Sequence, residues 1–401
     1  GDSITAQHLH SNYFEAFCYA RYPKLNFKFR NSGVGGDTIP KVLDRFAFDV
    51  AAWKPTVVSV ELGMNDAGSF KTDAFIENMG TLVATIRKAG ARPVILSASP
   101  VNDGTTIAKM AGYNAKLDEY AKALKMFCEK EKIPYADQFH PLVDVWGKNK
   151  PNEALVNDFA VVRRMAVDAK LKGVEHLKAF VELHPVYISM QGDPVHPGPT
   201  GQLMMAAALL KELGAEPFVS SVTIAGGKAE AKGCEVTNLK AEKQSIEFDR
   251  LDECLPFPIP ANAREVLPLS PEVLELSQYL LTVKDLPKGN YTLKINDVVC
   301  ASLSAEQLAA GVNLTDLPGQ TAADDKNPIA VQAQKVLDAV TFKENNVQGW
   351  RGLSRQVHSN RGRKGGKDPM ATLTARVEAA DAKIRDAAKP QKLHFEIREK
   401  K

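Results

Sequence analysis

The run Thr56-Val57-Val58-Ser59-Val60-Glu61-Leu62 limits the possible folds more than any other stretch: it is compact, rich in β-branched residues and lacks strict alternation. Such a run reads as a strand buried on both sides, the habit of parallel sheets covered by helices. It empties into Gly63-Met64-Asn65-Asp66, and parallel sheets carry their functional loops at the carboxyl ends of strands. Arg92 to Ser97 and Ile133 to Ala136 read as further strands, and the alternating Leu25-Asn26-Phe27-Lys28-Phe29-Arg30 as a strand that delivers a glycine-rich loop. Between them apolar residues recur at helical spacing: Leu9, Tyr13, Phe14, Phe17 and Cys18; Ile39, Val42, Leu43, Phe46 and Val50; Phe75, Ile76, Met79, Leu82, Val83 and Ile86. Helices are also expected over about 105–131 and 152–180, and through Leu203, Met204, Ala207, Leu210 and Leu213. Strands alternating with helices in this rhythm argue a three-layer α/β domain.

Four short stretches carry chemistry. They are Gly1-Asp2-Ser3, Asn31-Ser32-Gly33-Val34-Gly35-Gly36-Asp37-Thr38, Gly63-Met64-Asn65-Asp66 and Asp193-Pro194-Val195-His196. A serine hydroxyl is a weak nucleophile until an imidazole takes its proton and a carboxylate fixes the imidazole's tautomer. Ser3, His196 and Asp193 are the candidates, and the Asp-x-x-His spacing lets one proline-stiffened loop present both partners. An oxyanion also needs donors; the Ser3 and Gly36 backbone N–H groups and the Asn65 amide can supply them. The glycine-rich stretch is no dinucleotide loop, because Thr38 stands where the third glycine of G-x-G-x-x-G would fall.

These four stretches, in this order over residues 1 to 215, resemble the SGNH, or GDSL, hydrolases, whose signature Ser, Gly, Asn and His match Ser3, Gly36, Asn65 and His196. The resemblance implies a flavodoxin-like three-layer α/β/α sandwich and a serine esterase that cleaves carboxylic esters, often acetyl esters on carbohydrates, without metal or organic cofactor. Asp66 would stabilise its loop and take no part in the chemistry. The family sets Gly-Asp-Ser at the end of a first apolar strand, whereas this chain opens on the glycine. The expectation is a fragment whose parent continues upstream into that strand, and family resemblance favours a periplasmic or secreted protein. Two rivals stand beside the esterase: a non-catalytic carbohydrate-binding module on the same fold, and an acyltransferase.

The pattern changes near Gly214-Ala215-Glu216-Pro217, so the expected organisation is a hydrolase domain over 1–215, a β-rich accessory region over 216–327 and a helical tail with a final strand over 328–401. In the β-rich part, Tyr279 to Val283 and Tyr291 to Ile295 read as a hairpin through Pro287-Lys288-Gly289-Asn290. In the tail, helices around Val331 to Phe342 and from Pro369 to about Ala388 precede the alternating Leu393 to Ile397, a strand able to rejoin the β-rich part. Trp350 and Arg351 are candidates to reach over the cleft and contact a sugar. The basic stretch Arg361 to Lys367 lacks interleaved aromatics and reads as a solvated loop.

A net charge of +3 on 401 residues gives no electrostatic case for nucleic acid or an anionic membrane, and no apolar run approaches the roughly 20 residues of an integral membrane segment. The five cysteines (Cys18, Cys128, Cys234, Cys254, Cys300) show no C-x-x-C spacing, though Cys234 and Cys254 are able to pair in an exported protein. His8 and His10, two apart, face different sides of a helix and form no metal pair. The expected partner is a small-molecule or carbohydrate ester.

Overall fold

The computed structural model describes residues 1–102, 111–149, 193–317, 327–347 and 369–400. The expected helix at 152–180, the Trp350-Arg351 pair and the basic stretch 361–367 lie outside the described residues.

The first part of the chain alternates as its sequence demands. Helices α1 (Ser3–Ala6), α2 (His10–Arg21) and α3 (Ile39–Asp49) precede strand β1 (Val57–Glu61), which is followed by α4 (Thr72–Lys88), β2 (Arg92–Leu96), α5 (Gly112–Glu131), β3 (Tyr135–Ala136), α6 (His140–Asn149) and α7 (Pro199–Glu212). The three strands are parallel in the order β1-β2-β3. Strand β2 is buried on both faces from Pro93 onward, which explains why it does not alternate polar with apolar, whereas β1 is buried only at its carboxyl end, with Val57 and Ser59 exposed. Ile95 joins Val60 and Leu62 in a core with Phe46 of α3, Met79 and Leu82 of α4 and Leu124 of α5. Its neighbours Val94 and Leu96 point the other way, onto Leu209 of α7. The result is helix, sheet, helix: a flavodoxin-like α/β sandwich.

The chain then turns to strands: β4 (Phe218–Ala225), β5 (Lys228–Lys232), β6 (Cys234–Ala241), β7 (Ser245–Asp252), the helical turn α8 (Glu272–Glu275), β8 (Gln278–Val283), β9 (Asn290–Ile295), β10 (Val298–Ser304), α9 (Ala305–Ala310) and β11 (Val312–Asn313). Helices α10 (Pro328–Val347) and α11 (Pro369–Ala387) follow, and β12 (Leu393–Glu399) closes the chain. One sheet runs β11-β8-β4-β5 and the other β10-β9-β12-β7-β6. Their inner faces meet in one apolar core, where Phe248 and Phe395 stack with ring centroids 5.0 Å apart. The last strand is therefore central to its sheet, antiparallel to β7 on one side and β9 on the other.

Three expectations are corrected. Residues 25–30 form no strand; Phe27 and Phe29 are spent on an aromatic cluster with Phe14, Tyr19 and Tyr22, and their carbonyls accept from the Tyr19 hydroxyl and the Lys343 ammonium instead of a ladder. The segments 278–283 and 290–295 are not a hairpin but lie in different sheets. The hairpin is β9 with β10, turned by Asn296 and Asp297 at φ 47° and 66°, the doubly left-handed turn that matches strand twist. Cys234 and Cys254 do not pair, and all five cysteines carry free thiols.

The tail helices do not stand apart. Val336, Leu337 and Val340 of α10 and Ile384 of α11 share one buried cluster with Ile4, Phe17 of α2 and Leu203 of α7, each such side chain contributing about 1.5–3 kcal/mol. Among the described residues no helix is long and apolar enough to cross a membrane.

Candidate active site

Ser3 opens α1, and the Asp2 side chain caps that helix by accepting from the Ile4 N–H at 2.9 Å. The first N–H groups of a helix have no partner inside it, so the Ser3 amide is presented together with its hydroxyl. The His196 ring stands over this turn: Nε2 lies 2.8 Å from Ser3 Oγ, and Nδ1 is hydrogen-bonded to Asp193 Oδ2. Asp193 is set by its own loop, its other oxygen accepting from the Val195 N–H at 2.9 Å. That backbone bond, with the imidazole beside it, holds the Asp193 carboxyl below its ordinary range, so it stays ionised at neutral pH.

The glycine-rich loop closes the other side. The Val34 N–H donates to the Gly1 carbonyl at 3.1 Å, and the Asn31 amide donates to the Thr5 carbonyl at 2.7 Å. Gly33 backs so closely onto α1 that an added Cβ would sit 2.5 Å from the Ala6 nitrogen and 2.8 Å from the Thr5 carbonyl carbon. Backbone cannot yield as a side-chain tip can, so Gly33→Ala is expected to cost about 1–3 kcal/mol, read as a lower denaturation midpoint; an unchanged midpoint would mean that the loop stands further from α1. A Cβ on Gly35 would lie 3.8 Å from Ser3 Cβ, which puts Gly35 beside the Ser3 side chain. Gly36 has φ 74°, a conformation that glycine alone takes without cost.

Asn65 reaches the same place from the end of β1. One of its amide hydrogens goes to the Asp37 carbonyl at 3.0 Å, whereas its approach to Asp2 Oδ2 is 3.5 Å, at the limit of bonding. The second hydrogen is thus available to a substrate oxygen. Of the residues that the sequence singled out for the acyl-transfer chemistry, Ser3, His196 and Asp193 are linked in line, and Asn65 and the glycine-rich loop stand beside them; Trp350 and Arg351 lie outside the described residues.

Asp66, expected to stabilise its loop, accepts from the Ile39 N–H at 3.0 Å and pins α3 to the Asn65 loop. Several other supporting residues gave no sequence signal of their own. Asp37, next to Gly36, is held by Arg45 in a buried ion pair that continues to Asp49. Gln202, fully buried on α7, donates to the Pro197 carbonyl at 3.0 Å and to Gln7 Oε1 at 2.7 Å while accepting from the His10 N–H at 3.0 Å. It locks the histidine loop to the end of α1. On the far side the Asn102 N–H donates to the Pro194 carbonyl at 2.7 Å, and Asn114 clamps Val101 through both its N–H and its C=O at 2.8 Å. Only polar spacing without periodicity marks such residues in a sequence.

Beneath Ser3 burial raises the acids above their ordinary range. Burial, reinforced by nearby Asp2, pushes Glu61 up to about 8, and burial also raises Asp2 and takes Asp66 to about 6. The Glu61 carboxyl accepts from the Thr5 hydroxyl at 2.8 Å. No group of three or more His, Cys, Asp or Glu side chains suited to a metal ion occurs among the described residues.

The comparisons with known proteins now bear on this geometry. Residues 1–203 match the GDSL-like Lipase/Acylhydrolase family. An acetylxylan esterase of Geobacillus stearothermophilus is 25% identical over 208 residues, covering 51% of this chain and 80% of that protein. Among solved structures, a gut microbial diltiazem-metabolizing enzyme superposes over 100% of this chain and 96% of its own with a TM-score of 0.70 at 20% identity, a likeness in fold from end to end. A match over half of the chain, joined to an esterase relative, accounts for why so scattered a set of residues converges on one turn: the chain belongs to the GDSL-like lipase/acylhydrolase family and is an SGNH-type esterase.

Proposed function

We propose that Ser3 is the nucleophile, His196 its general base and acid, Asp193 the group that orients the imidazole, and that the substrates are short acyl esters, acetyl above all, on carbohydrates. The observation that carries the chemical assignment is the 2.8 Å approach of His196 Nε2 to Ser3 Oγ, with Nδ1 engaged by Asp193. In that tautomer Nε2 accepts the hydroxyl proton as Oγ attacks the ester carbonyl. The carbonyl oxygen, now negative, is met by the Ser3 and Gly36 N–H groups and the free hydrogen of Asn65. The raised Glu61 matters at this moment, because an ionised carboxylate beneath Ser3 would repel the new charge. As the intermediate collapses and the acyl C–O bond to the sugar breaks, His196 gives its proton to the departing sugar oxygen, which leaves as a hydroxyl. Water, activated by the same imidazole, attacks the acyl-enzyme and frees acetate and Ser3.

The carbohydrate assignment rests on the acetylxylan esterase relative. Release of acetate from acetylated xylo-oligosaccharides tests it: the expected result is faster turnover on these than on p-nitrophenyl esters of long-chain acids. Indifference to the sugar, or preference for long acyl chains, would replace it with a lipid or xenobiotic ester. Transfer to a sugar acceptor in place of water would appear in the same assay as a product of higher mass.

Asn65→Ala is expected to lower kcat by about a hundredfold to a thousandfold, the cost of one oxyanion donor, with KM little changed. A purely structural Asn65 would instead lower the denaturation midpoint and leave kcat of the folded fraction intact.

A further inference from the structure

A second polar cluster lies directly behind the Ser3 turn, and it belongs to the tail. His8 joins α1 to α2 with φ 59°, a left-handed conformation that non-glycine residues keep only where their surroundings hold them. Its N–H donates to the Thr5 carbonyl at 3.1 Å and closes the single turn of α1. Its Nδ1 lies 3.1 Å from Glu344 Oε2 on α10, and the Glu344 side chain is 3% exposed. The adjacent Lys343 is wholly buried; its ammonium contacts Glu15 on α2, Glu344 Oε1 at 3.2 Å and Asp381 on α11 at 3.6 Å. One cation therefore ties both tail helices to the helix that follows Ser3, and its neighbour grips the hinge between them.

We infer that the tail is part of the catalytic apparatus, with Glu344 a positioning residue that holds His8 left-handed and so sets the angle at which α1 presents Ser3 to His196. This rests on Ser3 being the nucleophile. The reason is mechanical. Helix α1 is a single turn, too short to be stiff on its own, and its direction is whatever its two ends impose. The Asp2 cap and the glycine-rich loop fix the front. At the back, the left-handed step at His8 decides where α1 leaves the axis of α2. Rotation about that step carries Ser3 Oγ with it, and a misplacement of about 1 Å at a reacting atom can cost a hundredfold in rate. Within the cluster, Glu344 faces His8 and Lys343; Lys343 also faces Glu15 and Asp381. Removing Glu344 thus leaves the ammonium with two carboxylate partners, and the packing of α10 survives.

Kinetics on p-nitrophenyl acetate with Glu344→Ala, Glu344→Gln, His8→Gly and the double variant His8→Gly/Glu344→Ala test the inference. Glu344→Ala is expected to lower kcat about tenfold with KM nearly constant and a native circular-dichroism spectrum. Glu344→Gln, which keeps an acceptor for the imidazole, should recover most of the loss. Glycine takes φ 59° without strain but does not hold it, so His8→Gly should lower kcat about as much as Glu344→Ala, and in the double variant the loss of Glu344 should add nothing further. An unchanged kcat in Glu344→Ala, or a further tenfold loss in the His8→Gly background, would overturn the inference. Ser3→Ala run alongside separates the two levels: if it is inactive while Glu344→Ala is normal, only the positioning role fails; if it retains turnover, the nucleophile assignment fails and the inference with it.

Discussion

Alanine at Ser3 is expected to reduce ester turnover by about ten-thousandfold or more, leaving only the residual acceleration that binding and oxyanion donors supply in serine hydrolases. The size of the loss follows from geometry: Ser3 Oγ is the atom that His196 Nε2 approaches at 2.8 Å. The fold should not notice. Asp2 caps α1 through its own carboxylate, the glycine-rich loop binds the Gly1 and Thr5 carbonyls, and deletion of one hydroxyl costs about 0.5–1.5 kcal/mol. Steady-state hydrolysis of p-nitrophenyl acetate beside a denaturation curve separates the two effects. A parent-like rate in Ser3→Ala would mean that another nucleophile acts.

The largest loss of stability is expected from Lys343→Ala, about 3–5 kcal/mol, because it strands buried carboxylates without their cation. Glu15, Glu344 and Asp381 are each at most 3% exposed and all lie within reach of the Lys343 ammonium. Even with that ammonium present, burial pushes Glu15 up to about 8 from its ordinary 4.5. A carboxyl whose folded pKa is raised gives up stability as pH climbs from its unfolded value toward its folded one. Without Lys343 the Glu15 carboxyl rises further, so the deficit of the variant should be greatest near and above neutrality and shrink as pH falls through and below 4.5, where the unfolded chain takes up that proton as well. Urea denaturation of parent and variant across that window measures it, and a deficit that grew on acidification would contradict the charge argument.

Much of the architecture was legible because parallel strands buried on both faces leave a compact signature. The segment 57–61 and its loop, the strand at 92–96 and the helices ahead of and behind them follow from local pattern. Ser3, Gly36, Asn65, Asp193 and His196 stood out because acyl transfer needs those groups and each lies in a short glycine- or proline-marked turn. What sequence did not reveal depends on distance along the chain. The alternation of 25–30 is real, yet Phe27 and Phe29 serve an aromatic cluster and the backbone finds no neighbouring strand. The segment 278–283 pairs with β4 and β11, so its apparent hairpin partner belongs to another sheet, and that partner turns back at Asn296-Asp297 onto β10 instead. Lys343 and Glu15 meet across 328 positions, and no periodicity in either helix distinguishes a charge destined for the core from one destined for solvent. Gln202 likewise looks like any helical glutamine until its three partners are seen.

Covalent trapping tests the central assignment most directly. The protein is treated with a p-nitrophenyl alkylphosphonate, digested and mapped by mass spectrometry. The expected result is a single phosphonyl adduct on the peptide that carries Ser3, absent in Ser3→Ala and greatly slowed in His196→Ala. An adduct on any other residue, or labelling of Ser3 that proceeds equally well without His196, would contradict it.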